Sequence, residues 1–210
     1  MSLLDEQHIF YRERVPEQFN LTLESQRARA ATDAEAAQIL EEMEAVRTSI
    51  VVQVDDGNTM HRMAFDIDRG HMKSVEAPAR TPFLILGHSL EDFRNIRREC
   101  GDSLLGFLGS LAGLGDEMRL TSQRVRNLRD LHGSLVFERT GREGFALFTS
   151  FGVDSPEPQP RTTIRLSDEI YTALRSGELD PQDAFLDGRI DIEGELEMAI
   201  GLALAALSPD

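Results

Sequence analysis

Polar and apolar positions alternate from Arg161 to Leu166 (RTTIRL), the period of a half-buried strand. Ser167 follows where a helix N-cap belongs, with Asp168 and Glu169 in the first turn, where the helix dipole favours negative charge. Ile170, Tyr171 and Leu174 give this helix an apolar face, and Gly177 marks its stop. Asp180-Pro181 opens a second short helix, since proline suits a first turn. Ala184, Phe185 and Leu186 form its apolar side, and Gly188 ends it. Arg189 to Glu193 alternates again around Ile190 and Ile192, a short strand closed by Gly194. From Glu195 the pattern becomes helical, and from Met198 to Leu207 it is apolar almost all round.

Earlier in the chain the pattern is less even. Residues 1–32 have no clear period; Phe10, Tyr11, Val15 and Phe19 suit a helical or extended arm, or a partly ordered terminus. From Thr32 or Asp33 a helix is expected, with Ala36, Ile39, Leu40, Met43 and Val46 at helical spacing. Ile50 to Val54 reads as a strand, residues 55–58 (DDGN) as a turn, and Met63, Phe65 and Ile67 as a second, alternating strand. Val75 and Phe83 to Leu86 are further strand candidates, and Ser89 caps a helix with Leu90, Phe93 and Ile96 on its face. The uncharged stretch 103–115 (SLLGFLGSLAGLG) reads as helix punctuated by glycines or as a lid. Met118 to Leu120 is expected as strand and Gln123 to Leu131 as helix. A second hairpin joins Leu135–Phe137 to Phe145–Ser150 through a turn at residues 140–142. Phe145, Leu147 and Thr149 alternate there with Ala146, Phe148 and Ser150, so one face suits a helix layer and the other a cavity.

The order strand, helix, SGELDPQDAFLDGRIDIEG, apolar helix resembles the C-terminal half of type-2 sterol carrier protein domains. The positions that carry the resemblance are Gly177, Leu179, Asp180, Pro181, Gln182, Ala184, Phe185, Gly188, Ile190, Ile192 and Gly194. It is strongest over 161–207 and softer over 134–160. It implies an α/β lipid carrier with an apolar tunnel between sheet and helices, and no reaction catalysed. The expected fold is therefore a mixed, mainly antiparallel sheet with helices on one face. Ile50–Val54, Arg62–Ile67, Arg80–Ile85 and the helix from Ser89 also run parallel to Leu135–Phe137, Phe145–Phe151, Arg161–Leu166 and the helix from Ser167. This order suggests a pseudo-twofold pair of α/β units. The division is an N-terminal arm (1–32), an N-terminal unit (33–118) and a sterol-carrier-like unit (119–207).

Charge narrows the partners. A net charge of −15 argues against nucleic acid and against stable docking on anionic membranes; transient membrane contact stays open. No apolar run approaches a bilayer span, the start MSLLDEQH does not read as a secretory signal, and the single cysteine, Cys100, cannot form an internal disulfide, which together suggest a cytoplasmic setting. His8, His61, His71, His88 and His132 lack metal-ligand spacing, and residues 87–89 (GHS) lack the nucleophile-elbow pattern. Neither a metal nor a cofactor is expected. An enzyme would need a pocket pairing a carboxylate with His88 or His132.

The apolar residues of 134–207 would serve as core in any α/β domain. The last helix shifts the balance, because one sheet face cannot bury a helix that is apolar on every side. The expected lipid-lining residues are Phe148, Ile170, Leu174, Phe185, Met198 and Leu202. Four arginines against eleven acidic residues in 161–210 disfavour a polyanionic head group, so neutral sterols, fatty acids or prenyl-type lipids fit better. The alternative is a carrier-like fold used as a homodimer or protein-interaction module without ligand.

Overall fold

The alternating and β-branched stretches pair into one eight-stranded sheet in the computed structural model, which describes residues 2–101, 103 and 119–207. Its strands are β1 (Arg47–Asp55), β2 (Met60–Asp68), β3 (His71–Val75), β4 (Pro82–Ser89), β5 (Gly133–Thr140), β6 (Phe145–Phe151), β7 (Thr162–Ser167) and β8 (Asp191–Gly194). They lie in the order β3-β2-β1-β4-β6-β5-β7-β8, with β1–β4 and β5–β7 parallel and the other five pairs antiparallel. The helices are α1 (Leu3–Ile9), α2 (Val15–Ala30), α3 (Ala34–Glu44), α4 (Phe93–Cys100), α5 (Ser122–Arg129), α6 (Asp168–Ser176), α7 (Pro181–Leu186) and α8 (Leu196–Leu207), with a π-helical turn over Phe10–Arg14. The stretch 103–115 lies, apart from Ser103, outside the described residues, as does Met118. Residues 119 and 120, expected as strand, have no regular structure; Leu120 instead enters the core just before the Thr121 cap of α5.

The two-residue period decides which face each strand residue joins. Ile50, Val52 and Val54 of β1 share a face with Met63, Phe65 and Ile67 of β2 and with Leu84 and Leu86 of β4. Phe93 and Ile96 of α4, Val125 and Leu128 of α5, Tyr171 of α6 and Met198 of α8 join the same buried cluster. The helices thus stand on one face, as expected. Val51, Ala64 and Ile85 form a small separate cluster on the other face.

The repeat is real but of a different kind. Each half presents a hairpin whose first strand also takes a parallel partner: β2-β1-β4 in one half, β6-β5-β7 in the other. A pseudo-twofold normal to the sheet would reverse the second set. The observed order keeps the same sense, so the halves are shifted along the sheet and joined by antiparallel β4–β6. The likeness reaches the polar contacts. Ser49 Oγ bonds Asp66 across β1–β2 at 2.7 Å, and Ser134 Oγ bonds Ser150 Oγ across β5–β6 at 2.8 Å. Arg80 then donates its N–H to Ser49 Oγ, as Arg161 donates its own to the Ser134 carbonyl.

The N-terminal arm is helical from Leu3 to Ala30 and contributes to the core. The π-helical turn widens the helix so that consecutive Phe10 and Tyr11 are both buried. They meet Phe93, whose ring centroid lies 5.7 Å from Phe10 and 6.0 Å from Tyr11. These aromatic side chains fill the core beneath the arm.

Candidate functional site

Local chemistry places α6, α7 and α8 much as the sequence dictates. Ser167 caps α6 by accepting from the Ile170 N–H, and Gly177 ends it in the left-handed conformation. Asp180 accepts from the N–H groups of Gln182 and Asp183, with Pro181 in the first turn of α7. Gly194, at φ +100°, lets β8 pass against the Arg161 carbonyl, where a Cβ would collide. This turn delivers α8 onto β5, β7 and β8, beside α5.

Four of the six expected lining residues belong to the helix-side core or pack on it. Met198 is buried in the helix-side core, and Ile170, Leu174 and Leu202 are half-buried against it. Ile164, Ile190 and Leu131 are half-buried against the same core. The sequence signals both positions, since Ile164 alternates with Thr162 and Leu166 and Ile190 alternates with Ile192.

The other two stand apart. Phe148 pairs with Gly87 and Val136, one residue out of phase with core-facing Leu147 and Thr149. A one-residue step changes the sheet face, so Phe148 lies opposite the helix layer and is half-buried there. Phe185 is 39% exposed; Ala184 is the residue of α7 that turns fully inward.

Around this apolar region the charges are paired. Arg139 on β5, only 5% exposed, bonds Asp168 at 2.6 Å and Glu99 at 2.9 Å, and lies over the Tyr171 ring at 4.4 Å. Glu99 also accepts from the Tyr171 hydroxyl and from Arg175, tying α4 of the first half to α6 of the second. Burial pushes the Tyr171 hydroxyl up to about 12, and the Arg139 guanidinium holds the Asp168 carboxyl below its usual range. Arg161 pairs with Glu157, Arg165 with Glu138 and Glu193, and Arg189 with Asp187. With Arg175 on Glu99, all four arginines of 161–207 have carboxylate partners.

His88 is engaged elsewhere. The Ser89 carbonyl can only accept, so Nδ1 donates to it at 2.8 Å, and Nε2 accepts the Tyr11 hydroxyl at 2.6 Å. His132 lies exposed with Nδ1 3.2 Å from the Gly152 carbonyl oxygen. Neither contact joins a histidine to a carboxylate. Among the described residues, no group of three or more His, Cys, Asp or Glu is placed to hold a metal. A cleft of about 220 Å³ at α2–α3 is lined by Gln26, Arg29, Asp33, Glu35 and Arg119 with Ala36 and Ile39, a mostly charged and polar lining unsuited to hydrocarbon.

No curated protein sequence matches the chain. Among solved structures, it is similar to the crystal structure of sterol carrier protein 2 like 2 from Aedes aegypti, at 17% identity over 54% of this chain and 94% of that one, with a TM-score of 0.32. It is also similar to the palmitated form of that protein determined in solution, at 19% identity over 36% of this chain and 72% of that one, TM-score 0.30. Apo sterol carrier protein 2 from Yarrowia lipolytica matches at 17% identity over 56% of this chain and 90% of that one, TM-score 0.29. These overlaps are too loose to position any side chain. The model of the SCP-2 sterol transfer family matches residues 120–206, which hold α5, β5 to β8 and α6 to α8. The resemblance carried by 161–207 is thus a match to the SCP-2 sterol transfer family across the second half of the sheet and its helices.

Proposed function

We propose that the second half binds and transfers a single hydrophobic lipid, held against β7 and β8 beneath α6 and α8. The observation that carries this reading is that the elements of the second half edge the helix-side core with half-buried apolar side chains: Ile164, Ile170, Leu174, Ile190 and Leu202. The family match over 120–206 supports the same reading. Each methylene removed from water would stabilise a complex by about 0.8 kcal/mol, so a sterol or long chain needs few polar contacts for affinity. The arginines of 161–207 are held by carboxylates, which supports a ligand with an uncharged or weakly charged head over a polyanionic one. No side chain of the site is assigned to catalysis. The test is native mass spectrometry of the purified protein, followed by extraction into organic solvent. One lipid molecule per chain is expected; protein that neither carries lipid nor acquires any from a mixed extract would contradict the reading.

A second reading has its own observation. The outer side of α8 exposes Leu196, Ile200 and Leu204. A protein-interaction module would use this surface for a second copy or another protein. Light scattering separates the two: a stable dimer without lipid uptake favours the module.

A further inference from the structure

α8 is apolar on both of its sides, and one side is buried while the other is exposed. Met198, Ala199 and Ala205 are buried, with Leu202 half-buried beside them. Leu196, Ile200 and Leu204, spaced four apart, form a stripe on the opposite side at 45, 44 and 65% exposure, and Ala203 is exposed beside them. The only charge within α8 is Glu197.

From the stripe we infer that α8 docks this protein on the surface of an electrically neutral, zwitterionic membrane, an inference that rests on the carrier reading of the site beneath it. Three observations select this occupant. First, side chains about half exposed offer on the order of 300 Å² of apolar surface, well short of the roughly 800 Å² per partner of a stable protein interface. That area suits a reversible contact in which a helix lies in the boundary between head groups and acyl chains. Second, α8 and the turn before it carry Glu195 and Glu197 and no cation, on a chain of net charge −15, so an anionic bilayer would repel it. Third, the stripe belongs to the helix whose inner residues Met198 and Leu202 border the proposed lipid site. A helix seated in acyl chains on its outer side sets its inner side next to the source of the cargo.

The experiment uses the full chain with phosphatidylcholine vesicles, in flotation and in tryptophan fluorescence. The chain has no tryptophan, so Leu196→Trp supplies a single probe on the stripe. Its emission is expected to shift to the blue on adding neutral vesicles, and less so as anionic lipid is added. The native protein should float with neutral vesicles, with little change on adding salt. Ile200→Asp with Leu204→Asp should lower vesicle partitioning at least tenfold. Both positions are exposed, and circular dichroism checks that the variant is folded. Lipid offered from cyclodextrin should still be taken up by this variant, because the inner side of α8 is untouched. Absence of uptake by either protein would point to failure of the carrier reading instead. No flotation, no blue shift, or equal flotation of the double variant would overturn the docking proposal. So would a stable dimer abolished by the double variant, which would make the stripe a contact between copies.

Discussion

Phe148 and Leu174 are both large apolar residues on elements of the second half, yet they lie on different faces of the sheet. Leu174→Asp would place a charge among half-buried aliphatic side chains and should weaken lipid uptake at least tenfold. Phe148→Ser should leave uptake within about twofold, measured by the same fluorescent-lipid titration, because its side chain points away from the helix layer. Loss of uptake in the Phe148 variant would place the ligand on the other face. Tyr11 and His88 make the other informative residue pair. Burial lowers the His88 imidazole below its ordinary 6.5, against the smaller upward effects of the Ser89 carbonyl and Asp92. The unfolded chain therefore binds the proton more readily, and stability should fall as pH drops from 6.5 towards the lower folded value. Asp168 acts in a lower window: its carboxyl is depressed chiefly by Arg139, so its contribution is present above the ordinary 3.8 and is lost as pH falls through the folded value. Urea titrations between pH 8 and 5 test the histidine part. Tyr11→Phe should cost about 1–2 kcal/mol at neutral pH by leaving Nε2 without its donor. Ser167, Gly177, Asp180 and Pro181 were readable because their chemistry is local. Tyr11 and His88 are 77 residues apart, and no local pattern announces such a pair.

At the scale of elements, the clearest surprise is the N-terminal helix. Its sequence shows no period because its buried residues include Gln7, Tyr11 and Gln26 beside Phe10, Val15 and Leu23, and because the π-helical turn shifts the phase midway. Gln26 donates to the Ala36 carbonyl, and Gln7 donates to the Met63 sulfur while its Oε1 stays buried without a hydrogen-bond partner. By contrast, α6 to α8 follow caps, prolines and glycines that act within a few residues, so the sequence located them closely. Between helices, Arg139 joins α4 to α6 through Glu99 and Asp168. Arg139→Met would leave Glu99 and Asp168 without this partner, and should destabilise the fold by about 3 kcal/mol in denaturant titrations. A loss below about 1 kcal/mol would mean that the pair contributes little once its desolvation is counted.

For the molecule as a whole, one sheet and one main core run through both halves. The repeat was visible in the order of strands and helices, but its symmetry was not, because strand order in a sheet depends on pairing between distant segments. Both halves pack aromatic side chains into their helix-side layer, Phe10, Tyr11 and Phe93 in the first and Phe137, Phe145 and Tyr171 in the second, and α6 and α8 add half-buried aliphatics in the second. No helix among the described residues is long and apolar enough to cross a membrane. The central claim is that the second half holds a lipid beneath α8. Its most direct test is titration of the delipidated protein with an uncharged fluorescent sterol, comparing the native chain with Leu202→Asp. The account predicts saturable uptake of one sterol per chain and an affinity at least tenfold lower in the variant. Absence of saturable uptake of the sterol, or equal affinity in both proteins, would contradict it.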